Sequence, residues 1–367
     1  MSDSFEIFLA CPPGLEPLLR DEAREAGFAA PVCTPGGVTF RGGWPEVWRA
    51  NLVLRGASRV LARIGEFRAL HLAQLDKRAR KMDWRAVLRA DVPVKVEATC
   101  RKSRIYHAKA ATQRVEGALE AAGIALGAEA ELVLRVRIED DLCTFSVDTS
   151  GALLHKRGFK TGTGKAPMRE TLAALFLRGA GFDGSAPVVD PMCGSGTFVI
   201  EAAEMAMGLA PGRGRSFAFE RLASFDADAW AAMRAAVTPR ETPLIFHGSD
   251  RNEGAIANAR ENAARAGVDQ IARFRHHAIS DLTPPDGPKG LVIANPPYGG
   301  RIGNKKLLYG LYGSFGQVLK QRFAGWHVGV VTSEAGLARA TGLKLEPGPV
   351  VDHGGIRVRL NQGRIAG

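Results

Sequence analysis

The sequence predicts an α/β protein, a doubly wound domain preceded by a smaller α+β module, and three stretches carry that prediction. Pro187 to Met207 runs from a short apolar segment ending at Asp190, through a glycine-rich turn, into Phe198-Val199-Ile200 with Ala202 and Ala203. That is the pattern of strand, loop and helix, and in a doubly wound sheet such a turn binds ligand at the strand's carboxyl end. Leu291 to Ala294 is a second buried-strand run, and it ends in Asn295-Pro296-Pro297-Tyr298. Ahead of both, short strand and helix patterns alternate around a strongly basic stretch.

With 367 residues, 46% of them hydrophobic and 24% charged, the chain is long enough for two or three globular domains. It contains no window of about 18 apolar residues, and its first residues have neither a basic leader nor an apolar signal core. A cytoplasmic protein that does not meet a membrane is therefore expected. The five cysteines form no C-x-x-C pair, so neither a zinc site nor a disulfide framework is expected, and no metal. The formal net charge of +11 is unevenly placed. From Asp76 to Arg114 there are twelve basic side chains against four acidic ones, a concentration that favours a polyanionic partner.

In chain order, Phe5 to Cys11 reads as a strand, and Gly14 to Leu19 opens an amphipathic helix that Gly27 can end. Gly37 to Arg41 is a strand, Pro45 to Leu54 a helix with Trp48 and Leu52 on one face, and Ser58 to Phe67 a strand. These pieces suggest a ferredoxin-like module. Leu70 to Lys81 is helical, and the strand Pro93 to Thr99 leads into Arg101-Lys102-Ser103-Arg104-Ile105-Tyr106-His107. A helix containing Lys109 follows from Ala108 to Ala122, so the loop can offer cations and helix amides to phosphate. Glu131 to Glu139 and Leu142 to Ser150 form a hairpin around Asp140-Asp141. Leu153 to Lys160 reads as a strand with a flexible connection over Thr161 to Gly164, and a helix then starts near Pro167.

Further along, Leu244 to Asp250 is a strand, Asn252 to Gly267 a capped helix and Ile271 to Arg275 a strand. Lys306 to Phe323 is helical, Trp326 to Thr332 a strand, and Leu343 to Val350 with Ile356 to Leu360 a closing hairpin. The spacing from Asp190 to Asp250 exceeds a simple βαβ unit, and Ser216 to Val237 is the insertion that lengthens it. Its Phe217, Phe219, Phe225 and Trp230 are read as packing residues.

The residue types constrain the ligand. Gly194 and Gly196 allow positive φ and close approach, while Asp190 would repel a pyrophosphate and suits a cationic or amine-bearing ligand. Asp250 ends a strand where a carboxylate can accept both hydroxyls of a ribose. Asp281 is placed to accept from the exocyclic amine of an adenine. Cys193 lies in the loop without a base beside it and reads as a small packing residue. Two prolines in succession fix the backbone after Asn295, so its amide oxygen and the Pro296 carbonyl can accept from a planar amine while Tyr298 stacks on the base.

Asp190 to Thr197 (D-P-M-C-G-S-G-T) and N-P-P-Y resemble motifs I and IV of class I (Rossmann-like) S-adenosylmethionine (SAM) methyltransferases acting on planar amines. R-K-S-R-I-Y-H and the elements around it resemble a THUMP module, an RNA-binding domain, and F-E-I-F-L-A-C-P-P-G-L-E-P-L-L-R-D-E resembles the ferredoxin-like segment that accompanies it. With K-A-P-M-R-E-T-L-A-A, A-P-G-R-G-R-S-F-A-F-E and G-S-D added, the chain resembles the bacterial THUMP-domain guanine-N(2) methyltransferases of 23S rRNA over nearly its whole length. The resemblance implies a ferredoxin-like segment over 1–60, a THUMP domain over 61–152 and a methyltransferase domain over 165–367. SAM is the implied cofactor, with Met168, Thr171, Met192, Cys193, Thr197 and Arg251 joining Asp190, Gly194, Gly196, Asp250, Asp281 and Asn295 as its contacts. RNA is the implied partner, rRNA first and tRNA second, held by Arg101, Lys102, Ser103, Arg104, Tyr106, His107 and Lys109. Gly300 stands where some relatives carry an acid, and no second methylation is expected. Adenine methyltransferases of DNA and glutamine methyltransferases of release factors share N-P-P-Y, and a non-catalytic RNA-binding assembly factor is the reading of another class.

Overall fold

The computed structural model describes residues 4–161, 168–299 and 305–367. Among them the chain forms two compact units, each assembled from separate stretches of sequence. One takes the chain up to Cys11, Leu19–Leu154 and Arg215–Ala236; the other takes Pro12–Leu18, His155–Gly214 and Val237–Gly367.

The first unit is built on β1 (Phe5–Ala10), α1 (Glu16–Glu25), β2 (Val32–Thr34), β3 (Gly37–Gly42), α2 (Trp44–Val53) and β4 (Arg59–Arg68). It continues through α3 (Leu72–Ala79), β5 (Val94–Arg101), α4 (Ala108–Ala121), β6 (Leu132–Glu139) and β7 (Leu142–Asp148). Its strands pair in the order β2-β3-β1-β4-β7-β6-β5. β4 pairs with β1 on one side and β7 on the other, so the segments before and after residue 60 share one sheet rather than meeting at a boundary there. Alternation sets the core: Leu132, Leu134, Val136 and Ile138 of β6 are buried, each contributing about 1.5–3 kcal/mol. The hairpin from β6 to β7 turns at Asp140 and Asp141, with φ of 50° and 63°, the paired positive φ that a two-residue turn with the right twist requires.

The second unit contains α5 (Glu170–Gly179), β8 (Val188–Asp190) and α6 (Thr197–Ala206). After α7 (Ala227–Ala235), which belongs to the first unit, come β9 (Phe246–Asp250), α8 (Glu253–Ala266), β10 (Ala272–His276), β11 (Leu291–Ala294) and α9 (Lys305–Arg322). β12 (His327–Thr332), α10 (Ala335–Ala340), β13 (Glu346–Pro347), β14 (Val351–His353) and β15 (Ile356–Arg364) complete it. The sheet runs β10-β9-β8-β11-β12-β15-β13, with β14 paired to β15. The strands from β10 to β12 are parallel, and the order reverses direction between β8 and β11. A ligand crevice belongs at the carboxyl ends of those two strands. Asp190 ends β8, and Asn295 follows β11 directly.

Four expectations are corrected. Leu153 to Lys160 forms no strand; its cations are drawn inward instead, Arg157 to Glu201 at 3.3 Å and Lys160 to Glu170 at 3.1 Å. Residues 216–236, expected within the methyltransferase range 165–367, pack in the first unit, because Phe219 stacks on Trp48 at 6.1 Å and meets Trp230 edge-on at 5.0 Å. Helix α5 begins at Glu170, and the connection over 162–164, Pro167 and Gly300 lie outside the described residues. The closing hairpin is formed by β14 and β15 through Gly354-Gly355, while β15 runs on to pair with β12 over six positions. Of the expected first arm, Glu346 and Pro347 pair with β15.

Candidate cofactor and substrate site

A cavity of about 530 Å³ opens at the reversal point of the second sheet. The glycine loop forms one wall. Gly196 has φ +85°, and a Cβ there would lie 2.9 Å from the Phe274 ring, so both conformation and space exclude a side chain. Gly194, at φ +51°, donates its amide to Asp250 Oδ2 at 3.0 Å. Met192 N donates to Asp190 Oδ1 at 3.1 Å, and Cys193 N to the Ser249 carbonyl at 3.0 Å. The loop is held from beneath as well. Asn262, fully buried in α8, donates to the Ser195 carbonyl at 3.1 Å and accepts from Arg265, whose Nε donates to the Phe159 carbonyl at 2.8 Å.

The cavity is acidic. Asp190 is buried, and desolvation, reinforced by the charge of Asp250, raises its pKa well above the ordinary carboxylate value against the Met192 amide, which lowers it. A ligand cation would favour its ionised form. Burial and the same two carboxylates also raise the Cys193 pKa, so this thiol is a packing group and not a nucleophile. Asp250 Oδ1 accepts from Asn252 N at 2.9 Å, and the residue faces the cavity beside Arg251. On the opposite wall Asn295 Oδ1 is buried and, among the described residues, has no hydrogen-bond partner. A buried acceptor in that state costs about 1–3 kcal/mol and is satisfied by a ligand donor.

Met168, Asp190, Met192, Cys193, Gly194, Thr197, Asp250, Arg251 and Asn295 all line the cavity, as their sequence positions suggested. Five residues do not. Thr171 is buried within α5, Gly196 turns the loop without bordering the space, and Pro296 is buried while Pro297 faces the cavity. Asp281 is exposed on a short 3₁₀ turn, Ile279–Asp281, which gives the wall to Ala278 and Ile279. Tyr298 is wholly buried, its hydroxyl 3.4 Å from His353 Nδ1, so the expected stacking ring is turned into the core. The sequence reading also passed over His277, Leu311 and Lys160. Lys160 Nζ bonds the Met168 carbonyl at 2.9 Å and Thr197 Oγ1 at 2.8 Å, tying the approach to α5 to the start of α6. Lys160 stands among other cations and carries no local mark of its role, whereas an asparagine beside alanines was the available signal for Asn262.

In the first unit, the basic loop stands out from the sheet. Arg101, Lys102, Arg104, Tyr106, His107 and Lys109 are exposed, and Tyr106 retains 71% of its surface. Its ring lies 4.1 Å from that of His107. Ser103 Oγ accepts from Asp141 N at 3.0 Å, and Asp141 Oδ1 accepts from Arg104 N at 2.8 Å, so the hairpin turn braces the loop. Buried Ile105 anchors it from below.

Comparison with known proteins agrees with both units. Residues 6–61 match the RlmL ferredoxin-like domain. A ribosomal RNA large subunit methyltransferase K/L of Syntrophotalea carbinolica is 35% identical over 98% of the chain, and one from Chromohalobacter salexigens 34% over 98%. The chain spans about half the length of these curated relatives, 53% and 52%. The SAH complex of SMU.472 superposes with a TM-score of 0.89 at 26% identity, covering 99% of this chain and 98% of that one. A protein of Listeria monocytogenes predicted to be an N6-adenine-specific DNA methylase gives 0.87 at 30% identity, over 98% and 96%. Residues 157–347, more than half the chain, match the RMKL-like methyltransferase domain, and the chain belongs to that family of SAM-dependent methyltransferases.

Proposed function

We propose that this chain transfers a methyl group to the exocyclic N2 amine of a guanosine in 23S rRNA. The observation that carries the reading is the Asn295 oxygen, without a partner among the described residues, in the same cavity as Asp190 and Asp250. SAM, when bound, supplies an activated methyl on a sulfonium. The two carboxylates suit its cationic and hydroxyl-bearing groups, with Asp190 toward the methionine portion and Asp250 toward the ribose. At the other end, Asn295 Oδ1 accepts from the substrate amine, whose lone pair is otherwise delocalised into the ring. Drawing on its N–H bonds localises that pair for attack on the methyl carbon as the bond to sulfur breaks, water takes the proton that the methylated amine sheds, and much of the rate comes from alignment. Pro297 and Leu311 offer apolar walls to the base. Tyr298 instead serves the turn, with Tyr312, whose hydroxyl donates to the Pro297 carbonyl at 3.4 Å.

Residues 61–152 act in this reading as the THUMP RNA-binding part of the sheet they share with the ferredoxin-like segment 1–60, and 165–367, apart from the stretch 215–236 that packs in the first unit, as the catalytic domain. Arg101, Lys102, Arg104 and Lys109 contact phosphates, Ser103 braces their loop, and Tyr106 with His107 stacks on an unpaired base. The curated relatives named for large-subunit rRNA support that substrate over tRNA, while the adenine-specific name of the Listeria protein supports a rival base. Mass spectrometry of nucleosides from 23S rRNA, tRNA and DNA of a deletion strain separates the three. Loss of one N2-methylguanosine from 23S rRNA is expected; loss confined to N6-methyladenine or to tRNA would replace the proposal.

A further inference from the structure

The sheet of the second unit has one face that its helices leave open at the β9–β10 edge. Phe274 lies on the covered side, since its ring is the nearest neighbour of any side chain at Gly196 or Gly248, with Ala259 of α8 beside it. The period of two along a strand therefore points Arg273 and Arg275 to the opposite face. The parallel register sets His247 beside Arg273 and Ser249 beside Arg275, so one patch gathers two guanidiniums and an imidazole. In doubly wound sheets a crossover helix ordinarily covers such a face. Between β10 and β11 this chain forms a single 3₁₀ turn and then Leu282-Thr283-Pro284-Pro285-Asp286, where the prolines exclude a helix.

What remains is a second cavity of about 370 Å³, bordered by His247, Arg273, Arg275 and His277 with one acid, Asp286. Among the described residues neither arginine forms an ion pair; Arg273 donates to the Asp269 carbonyl at 3.3 Å. Burial, with Arg275 and Arg273 nearby, lowers the His247 pKa and leaves a neutral ring able to donate a hydrogen bond. Two unpaired guanidiniums flanking a recess form a site whose missing partner is an anion, and their forked donors match phosphate oxygens. His277 borders both this recess and the cofactor cavity. The recess reaches Val189 of β8, the strand paired with β11, which Asn295 follows.

We propose that this recess seats a backbone phosphate of the RNA strand that delivers the target base, an assignment that rests on the RNA reading above. The test compares the full chain with an R273Q/R275Q variant, whose substitutions fall on exposed side chains. Two probes are used: inorganic phosphate, followed through the ring NMR signals of His247 and His277, and a short fluorescent single-stranded RNA titrated at several salt concentrations. Phosphate should shift both histidine signals in the parent and not in the variant. The slope of log affinity against log salt should fall by about 0.7, the share of the one phosphate that both arginines hold. An unchanged slope in a variant with unchanged melting and SAM affinity would overturn the proposal while leaving RNA binding intact. Shifts with phosphate alone, at an unchanged slope, would also overturn it in favour of a small-anion site. Absence of RNA binding by the parent protein would sink the RNA reading and this site with it.

Discussion

Replacing Asn295 by Ala should raise stability while abolishing turnover, an unusual pair of signs for a polar residue at the end of a central strand. Among the described residues its Oδ1 is buried without a partner, a state costing about 1–3 kcal/mol that the substitution removes. The deleted carboxamide is three heavy atoms, but it borders an open cavity and leaves no closed void, so its lost contacts offset only about 1 kcal/mol. The net gain of about 1 kcal/mol should lift the melting midpoint of the unliganded catalytic unit by roughly 2–4 °C for a unit of 150–250 residues. Loss of one oriented hydrogen-bonding group in the reacting geometry should lower the single-turnover rate by about 10²–10³. Thermal unfolding without ligand and transfer of a labelled methyl to RNA measure the two effects, with SAH affinity as the control. Wild-type turnover, or a loss of more than about 2 kcal/mol in stability, would show that this oxygen is already satisfied inside the protein.

Asp190→Asn should weaken SAM binding at least about tenfold, the scale of one charge-assisted hydrogen bond. The raised native pKa of Asp190 also means that the unliganded wild type gains stability as pH falls through that value and toward about 4, and the variant should lose this part of the pH dependence in melting curves. Gly196→Ala forces a side chain into φ +85° and against Phe274, and calorimetry should report a loss of about 1–3 kcal/mol with cofactor binding reduced; a neutral result would mean the loop can re-form. Tyr106→Ala should cost about 1–3 kcal/mol of RNA affinity without moving the melting midpoint, because the ring is exposed; full affinity in a binding titration would remove Tyr106 from the interface.

The parts of this molecule that were legible in its sequence are those fixed by local chemistry. Asp190, the two loop glycines and Asn295 sit at strand ends, where a short apolar run followed by a turn announces itself, and the paired aspartates of the β6–β7 hairpin carry their own backbone preference. What long-range packing decides was not legible. Residues 216–236 show their aromatics in sequence but not that Trp48, about 170 positions earlier, stacks on Phe219. Tyr298 carries no local mark of inward orientation; that comes from His353 on a distant strand. β2 escaped notice because Val32-Cys33-Thr34 is too short to show a period, and Asp281 was expected at the cavity wall because nothing local announces the 3₁₀ turn that puts Ile279 there instead. Arg157 and Lys160 misled for the opposite reason: a run of cations after Leu154 reads as solvated, whereas these two charges are buried in pairs.

The thread of the polypeptide passes between the two units five times, at residues 11, 18, 154, 214 and 236. Neither half is a bead on a string that one cut could release. A fragment beginning at His155 would carry Phe217, Phe219 and Trp230 without Trp48 or the Thr149 carbonyl that accepts from Phe219 N, leaving greasy rings bare to water. Separate expression of an RNA-recognising half and a catalytic half should therefore yield aggregates, and exchange of one module between relatives must carry residues 215–236 along with the amino-terminal partner.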